Sequence, residues 1–490
     1  MAYEHLFSSI KIGSVEIPNR IALMPMGVLS PRMMNSDASY TKDGADYYIE
    51  RAKGGTGLII TGMAPIPPGE FLPSIVNNPA TYTENTKYLA DGIHRYGSKV
   101  FIMISAMSGR SGTPGGPAPS ATPNVWDPRE VQREMTVDEI HQYVEWFAIG
   151  AKAAKDAGID GIEVHAVHEG YLMDQFTTEY TNHRTDSYGG SFENRYRFAV
   201  ETVKAIKREC GEDYPVMLRY SVTSKVIDFK VGAVPGEEFT ELGRDMAESE
   251  KAARYLQDAG YDALNADNGT YDSWYWAHPP VYMPLNCNLA EAEHIKKFVD
   301  IPVICAGRMQ ADAAAESIAA GRLDAVAIGR QFICDGEYLT KLKEGREEDI
   351  RPCISCHNAC LPVAYYNNSG AVMDMADAAT QGHCALNPVS FEEKKYKLKK
   401  AEIRKKIAVV GGGIGGMETA RLCALMGHTV DLYEKTDHLG GGFVAAAAPD
   451  FKEKDRELLA WYRTQIGKLP VNVHMNTEIT SLDELSADEI

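Results

Sequence analysis

The stretch VICAGRMQADAAAESIAAGRLDAVAIGR (303–330) decides the fold. Two short apolar runs, 303–308 and 325–330, flank an alanine-rich stretch, 310–321, that reads as a helix. Strands apolar from end to end suit a parallel sheet covered on both faces, and parallel neighbours need a crossover between them. Outward from this unit the pattern repeats: RIALMPM (20–26), GLIITGM (57–63), KVFIMIS (99–105), GIEVHA (161–166), VMLRYS (216–221) and ALNADN (263–268). Helix-like stretches at 43–54, 84–97, 136–158, 191–210, 238–260 and 290–299 separate these runs, and Thr136 with Glu139 reads as a capping box. Eight strands alternating with helices over about 330 residues predict an α/β fold, a (β/α)8 TIM barrel.

In such a barrel the chemistry sits at the C-terminal strand ends. Those ends carry Pro25, Met26 and Gly27; Thr61 and Gly62; Met103; His165 and His168; Arg219; Gly307 and Arg308; and Gly329 and Arg330. The loops after the last two strands form the usual phosphate site of this fold. There glycine admits the backbone, and arginine presents a bidentate fork. Helix capping or surface pairing is the other reading of the two arginines. His165 and His168 can donate hydrogen bonds to a carbonyl or carboxylate oxygen. Tyr171, close by in the chain, can deliver a proton to carbon. A metal role for the histidine pair lacks an arranged third ligand, and a structural role is its plain alternative. Tyr271, Trp274, Tyr275, Trp276 and His278, after the sixth run, form either loop packing or a pocket wall for an apolar or aromatic acid.

Composition bounds the rest. The 490 residues are 44% hydrophobic and 24% charged, enough for two or three soluble domains. No run of 18 apolar residues suggests a membrane span, and MAYEHLFSS lacks the regions of a signal peptide, so a cytoplasmic protein is expected. A net charge of -18 argues against a nucleic-acid partner.

PCISCHNAC (352–360) places Cys353, Cys356 and Cys360 close together, and Cys384 follows. In a reducing compartment this spacing points to metal or redox chemistry, either an iron–sulfur cluster on four thiolates or zinc with help from His357 or His383. Cys210, Cys287, Cys305 and Cys334 read as buried thiols. The charged stretch 392–406 reads as a solvated linker. Beyond it, KIAVVGGGIGGMETARLCALMGHTVDLYEK (406–435) is strand, glycine turn, helix and strand. It carries Gly411, Gly413 and Gly416 as G-x-G-x-x-G, with Glu434 lying 23 residues after Gly411. That context predicts a dinucleotide at the helix N-terminus, with Glu434 on the ribose hydroxyls. One more helix, 451–468, is expected, with no later strand to finish the sheet. The sequence reads as cut inside this domain.

The run from 161 to 201, with H-x-x-H, Gly-Tyr-Leu, Gln-Phe, Asn-His-Arg-Thr-Asp, Tyr-Gly-Gly-Ser and Glu-Asn-Arg, resembles the Old Yellow Enzyme (NADH:flavin oxidoreductase) family of FMN barrels. HAVHEGYLMDQF (165–176) and NGTYDSWYWAHPP (268–280) resemble its 2-enoate reductase and 2,4-dienoyl-CoA reductase group. The resemblance implies that Pro25, Met26, Gly27 and Gly62 line FMN through backbone contacts. Arg219 would lie at the flavin's pyrimidine edge, and Arg308, Gly329 and Arg330, beside Gly307, would hold its phosphate. Tyr171 would be the proton donor, and His165 and His168 would bind the substrate oxygen. Met103 stands where the family usually has a flavin-reading glutamine. Glu169 is inserted before the Gly-Tyr pair, an insertion shared by the enoate and dienoyl-CoA reductases. The cysteine position, between a flavin barrel and a second nucleotide fold, suits an electron relay. In similar reductases the motif holds a [4Fe–4S] cluster, although the gap before Cys384 is longer here. LGGGF (439–443), with Gly441, resembles the second glycine pair of FAD-binding domains, which favours FAD over NAD.

The expected division is an FMN barrel over 1–345, an iron–sulfur segment over 346–400, and a partial Rossmann-like FAD-binding domain over 401–490. The expected activity is an NADH-dependent ene-reductase acting on a small unsaturated acid, enone or enoyl thioester. The alternatives are an amine dehydrogenase of the trimethylamine dehydrogenase type and an electron-transfer flavoprotein with no substrate of its own. Self-association into a homo-oligomer stays open.

Overall fold

In a computed structural model of the chain, the described residues are 3–26, 33–68, 73–107, 109–168, 170–358, 360 and 383–490. All eight expected strands form: β1 (Ile21–Leu23), β2 (Leu58–Pro65), β3 (Lys99–Ser105), β4 (Gly161–Val167), β5 (Val216–Ser221), β6 (Ala263–Asp267), β7 (Val303–Cys305) and β8 (Ala325–Ile328). They pair in parallel and in sequence order, and β8 returns to β1 to close the barrel. Buried Val, Ile, Leu and Ala on their outer faces pack against the crossover helices. A second, interior cluster holds Ala22, Ile60, Phe101, Met103, Met217, Ala263 and Ile304. The N-terminal hairpin Ile10–Ile12 with Val15–Ile17 adds Ile12 and Ile17 to that interior cluster.

Caps set the helix starts. Thr136 and Glu139 make the expected capping box ahead of Val137–Asp156. Two boundaries differ from expectation. Asn78 accepts from the Thr81 amide, so that helix begins at Pro79 rather than 84. Asp245 accepts from the Glu248 amide, so the helix expected from 238 begins at Met246.

The C-terminal unit is a parallel three-stranded sheet, β9 (Lys406–Val410), β10 (Thr429–Tyr433) and β11 (Val471–His474), packed on the helices Ile414–Met426 and Glu453–Lys468. β11 corrects the expectation that no strand follows the last helix. Its sequence, VNVH, alternates apolar and polar residues on a half-exposed edge, so it shows no continuous apolar run. Asn472 and His474 reach Asp431 of β10 at 3.2 and 2.9 Å. Trp461 Nε1 donates to the Asp349 carbonyl at 3.1 Å and Arg308 pairs with Glu453, which seats this unit against the barrel. No helix among the described residues is long and apolar enough to cross a membrane.

Candidate active site

Parallel register puts His165, Arg219 and Asn265 side by side on β4, β5 and β6. Alternation along each strand then places Glu163 and Asp267 on the same inward face. Their polar groups meet in one chain of hydrogen bonds. Asn265 Nδ2 donates to Glu163 Oε2 at 2.8 Å, and Arg219 Nη1 donates to Asn265 Oδ1 at 3.0 Å. Arg219 Nη2 pairs with Asp267, and Asp267 Oδ2 lies 3.2 Å from His168 Nε2. His168 Nδ1 lies 2.9 Å from His165 Nε2. Glu163 and Asn265 are 0% exposed and Arg219 is 2% exposed, so two acids share one guanidinium away from water. Burial, against the nearby Arg219 charge, pushes Glu163 and Asp267 each up to about 7. Burial first, then the charges of His168 and Arg219, hold His165 well below the ordinary histidine range, so its ring is neutral.

His165 Nδ1 is buried and has no hydrogen-bond partner among the described residues. Its ring centroid lies 3.9 Å from that of Tyr171. Tyr171 caps the short helix Leu172–Thr177 and follows Gly170, whose φ of +71° favours glycine. The Gly170 amide donates to Asp174 at 2.8 Å, and Asp174 pairs with the buried Arg244 at 2.8 Å, so the loop presenting Tyr171 is anchored. Glu169 lies outside the described residues. Across the mouth, Tyr271 Oη lies 3.1 Å from Tyr171 Oη, and aromatic contacts continue through Trp274 to His278.

The expected phosphate residues gather at a cavity of about 570 Å³. Pro25, Met26, Gly307, Arg308, Gly329 and Arg330 line it, with Cys353 and Trp461. A Cβ on Gly307, whose φ is +124°, would fall 2.3 Å from Asn288 Nδ2, so that position needs the bare backbone; one on Gly329 would press the Met26 thioether at 3.0 Å. Arg308 donates to the Val281 carbonyl at 2.8 Å and also pairs with Glu453, while Arg330 contacts His357. Gly62, in β2, is held by two tyrosines from earlier in the chain. Its amide donates to Tyr48 Oη at 2.8 Å and its carbonyl accepts from Tyr40 Oη at 2.9 Å, so both backbone groups are engaged. Met103 is buried beside Glu163 in the barrel interior, and Gly27 lies outside the described residues.

Cys353, Cys356, Cys360 and Cys384 line one small cavity with Arg330 and His357. Among the described residues, no three of His, Cys, Asp or Glu close on a point where one metal ion would sit. Burial pushes Cys360 up to about 12, whereas Cys384 is drawn down to about 6, first by a hydrogen bond with the Cys334 thiol. Residues 361–382, between these cysteines, lie outside the described residues.

In the C-terminal unit, Gly411 has φ +103°, and a Cβ on Gly416 would fall 1.8 Å from the Gly411 carbonyl oxygen. Gly413 caps the following helix and is open to solvent, and a Cβ on Gly441 would meet Gly413 Cα at 3.2 Å. Glu434 accepts from the Gly412 and Thr436 amides, each at 2.8 Å, so it braces the glycine turn.

Sequence reasoning passed over Glu163, Asn265, Asp267 and the Cys334 contact with Cys384. The signal for the first three was present: polar residues at alternate positions inside the apolar runs GIEVHA and ALNADN.

This arrangement defines a barrel oxidoreductase with a cavity lined by glycine and arginine at its last two strands and a polar relay across its mouth. Residues 5–349 match the NADH:flavin oxidoreductase / NADH oxidase family, and residues 409–454 match an NAD(P)-binding Rossmann-like domain. The chain is 44% identical to cinnamate reductase of Clostridium sporogenes, covering 100% of this chain and 73% of that protein. It is 36% identical to NADH oxidase of Thermoanaerobacter brockii, covering 100% of this chain and 72% of that protein. A solved 2-naphthoyl-CoA reductase complex with 2-naphthoyl-CoA superposes with a TM-score of 0.83 at 29% identity, covering 98% of this chain and 71% of that one. The chain belongs to the NADH:flavin oxidoreductase / NADH oxidase family.

Proposed function

We propose that this chain is an NADH-dependent ene-reductase that saturates the C=C bond of an α,β-unsaturated carboxylate, enone or enoyl thioester. One observation carries the reading: the orphaned His165 Nδ1, buried beside Tyr171 at the barrel mouth. A buried ring nitrogen without a protein partner calls for a ligand polar atom, and the substrate oxygen suits it. The resemblance of the chain to a cinnamate reductase and a 2-naphthoyl-CoA reductase supports an unsaturated acid or its thioester.

FMN fits the cradle of two Gly-Arg ends: two bare backbones, two guanidinium groups and a cavity of about 570 Å³. Gly307, Arg308, Gly329 and Arg330 would hold its phosphate, Pro25 and Met26 its flanks, and Arg219 its pyrimidine edge. When bound, FMN supplies the hydride that adds to the β-carbon. His165 holds the substrate oxygen and stabilises the charge that develops there. Tyr171 holds the proton destined for the α-carbon at Oη. The Tyr271–Trp274–His278 face excludes water and offers ring contacts to an aryl substituent.

We read the four-cysteine cavity as a [4Fe–4S] site, a cluster that supplies single-electron transfer. Cys353, Cys356, Cys360 and Cys384 line one small cavity, and four thiolates are the usual ligand set of such a cluster. The glycine turn at 411–416 and the Gly441 loop suit a dinucleotide pyrophosphate, which we read as FAD accepting electrons from NADH. On this reading the chain divides into the barrel (1–345), the cysteine segment (346–400) and part of the FAD-binding unit (401–490).

Rapid mixing of the anaerobically reduced protein with cinnamate, simple 2-enoates, enones and enoyl-CoA esters tests the proposal. Flavin reoxidation with formation of the saturated product is expected for at least one class. Reduction of the flavin by secondary or tertiary amines, with no unsaturated acceptor active, would instead establish the amine dehydrogenase reading.

A further inference from the structure

Tyr271 brings a hydroxyl to the mouth of the barrel, facing Tyr171. The short turn Tyr271–Ser273 that carries it is pinned by other groups. The Asp272 amide donates to Thr270 Oγ1 at 3.2 Å, the Thr270 amide donates to Ser273 Oγ at 2.8 Å, and Ser273 Oγ donates to the Ser224 carbonyl at 2.6 Å. Asp272 is further held by Arg110 and by the Lys230 amide. The Tyr271 ring stands edge-on to Trp126 at 5.7 Å and against Trp274 at 4.8 Å. Backbone and ring are thus fixed without the hydroxyl, which nevertheless lies 3.1 Å from Tyr171 Oη, with Tyr271 as donor.

We propose that Tyr271 is a positioning residue for proton transfer from Tyr171, a role that rests on reading Tyr171 as the proton source. With Tyr271 donating, Tyr171 Oη accepts a hydrogen bond and keeps its own proton for transfer. When the Tyr171 O–H bond breaks and a C–H bond forms at the α-carbon, a tyrosinate remains at Tyr171. The Tyr271 hydroxyl stabilises that anion, passes its own proton to Tyr171 Oη, and takes a replacement from water at the half-exposed mouth. The step involves no oxidation or reduction. The other titratable groups on this side are His165 against the Tyr171 ring, His168 and Asp267 behind it, and His278 beyond Trp274. Arg110 is already paired with Asp272.

Tyr271→Phe and Tyr171→Phe, each in the flavin-loaded protein, test this. A hydrogen bond to an anion is among the stronger ones, so Tyr271→Phe should slow enoate-driven flavin reoxidation by about 10- to 100-fold. The enoate KM and reoxidation by dioxygen should stay near the parent values. A second measurement needs no substrate. In ring-carbon NMR of tyrosine-labelled protein, the signal lost in Tyr171→Phe identifies Tyr171. In Tyr271→Phe that signal should ionise at higher pH, because the donor that favoured the anion is gone. A pure wall residue would move neither reading. A slow Tyr171→Phe beside a Tyr271→Phe of parental rate and unmoved Tyr171 ionisation would overturn the role of Tyr271 alone. A Tyr171→Phe of parental rate would overturn the proton-source reading and this proposal with it.

Discussion

His168 Nε2 lies 3.2 Å from Asp267 Oδ2, and this hydrogen bond sets the hydrogen-bonding sense of the whole relay. If Asp267 is ionised and His168 neutral, His168 donates at Nε2 and must accept at Nδ1. His165 then donates at Nε2, and its orphaned Nδ1 carries a lone pair. One proton on the Asp267–His168 pair reverses both rings and makes His165 Nδ1 a donor, the form that suits a substrate oxygen.

The first prediction follows from that reversal. Burial raises Asp267 to about 7, so the pair loses its proton as pH climbs through that value. The affinity of a saturated, unreactive substrate analogue should therefore fall across pH 7. In Asp267→Asn the amide can accept from Arg219 and donate to His168 at every pH, so the same titration should be flat. Flavin absorbance on analogue binding reads both. A parental pH dependence in Asp267→Asn would assign the titration elsewhere.

The barrel was legible in the sequence because its strands are buried on both faces and read as unbroken apolar runs. β11 was not, because an edge strand such as VNVH carries the alternation of a half-exposed surface. His165, His168 and Tyr171 stood out as polar residues just past a strand. Glu163, Asn265 and Asp267 did not, because an acid within an apolar run has meaning only once closure shows the barrel interior, where Arg219 bonds Asn265 and Asp267 and Asn265 in turn bonds Glu163. The engagement of Gly62 by Tyr40 and Tyr48 was likewise hidden, because both tyrosines come from a different stretch of chain.

The cysteine cavity gives the second prediction. Anaerobically purified protein should carry ~4 iron and ~4 sulfide per chain, as a four-thiolate cluster does. Cys384→Ser should lower the iron content and bleach the visible cluster absorbance on brief exposure to air. Flavin content should hold, because the cradle at Arg308 and Arg330 is untouched. A zinc content of one per chain without sulfide would rule the cluster out.

The third prediction concerns the glycine turn. A methyl group at Gly416 would fall 1.8 Å from the Gly411 carbonyl oxygen, a backbone atom that cannot swing aside. Gly416→Ala should force the turn open and abolish dinucleotide binding by the C-terminal unit. FMN binding in the barrel should be unchanged. Flavin release and chromatography of parent and variant separate the two sites.

The last prediction concerns stability. Glu163 is fully buried, one of its oxygens has no partner among the described residues, and burial raises it from 4.5 to about 7. The folded state therefore holds a proton here that the unfolded chain releases near pH 4.5. Unfolding then releases that proton across the interval, and stability falls as pH rises. The contribution is complete below about pH 4.5 and lost by the time pH has passed about 7. The full shift is worth roughly 3 kcal/mol. Glu163→Gln keeps the shape and an acceptor for Asn265 Nδ2 but cannot ionise. Relative to the parent, it should gain stability as pH rises from 5 to 8, by up to that amount. Denaturant unfolding of both proteins at the two pH values measures the difference. A variant that tracks the parent at both would show that Glu163 is ionised in the folded barrel, with Arg219 supplying the compensation.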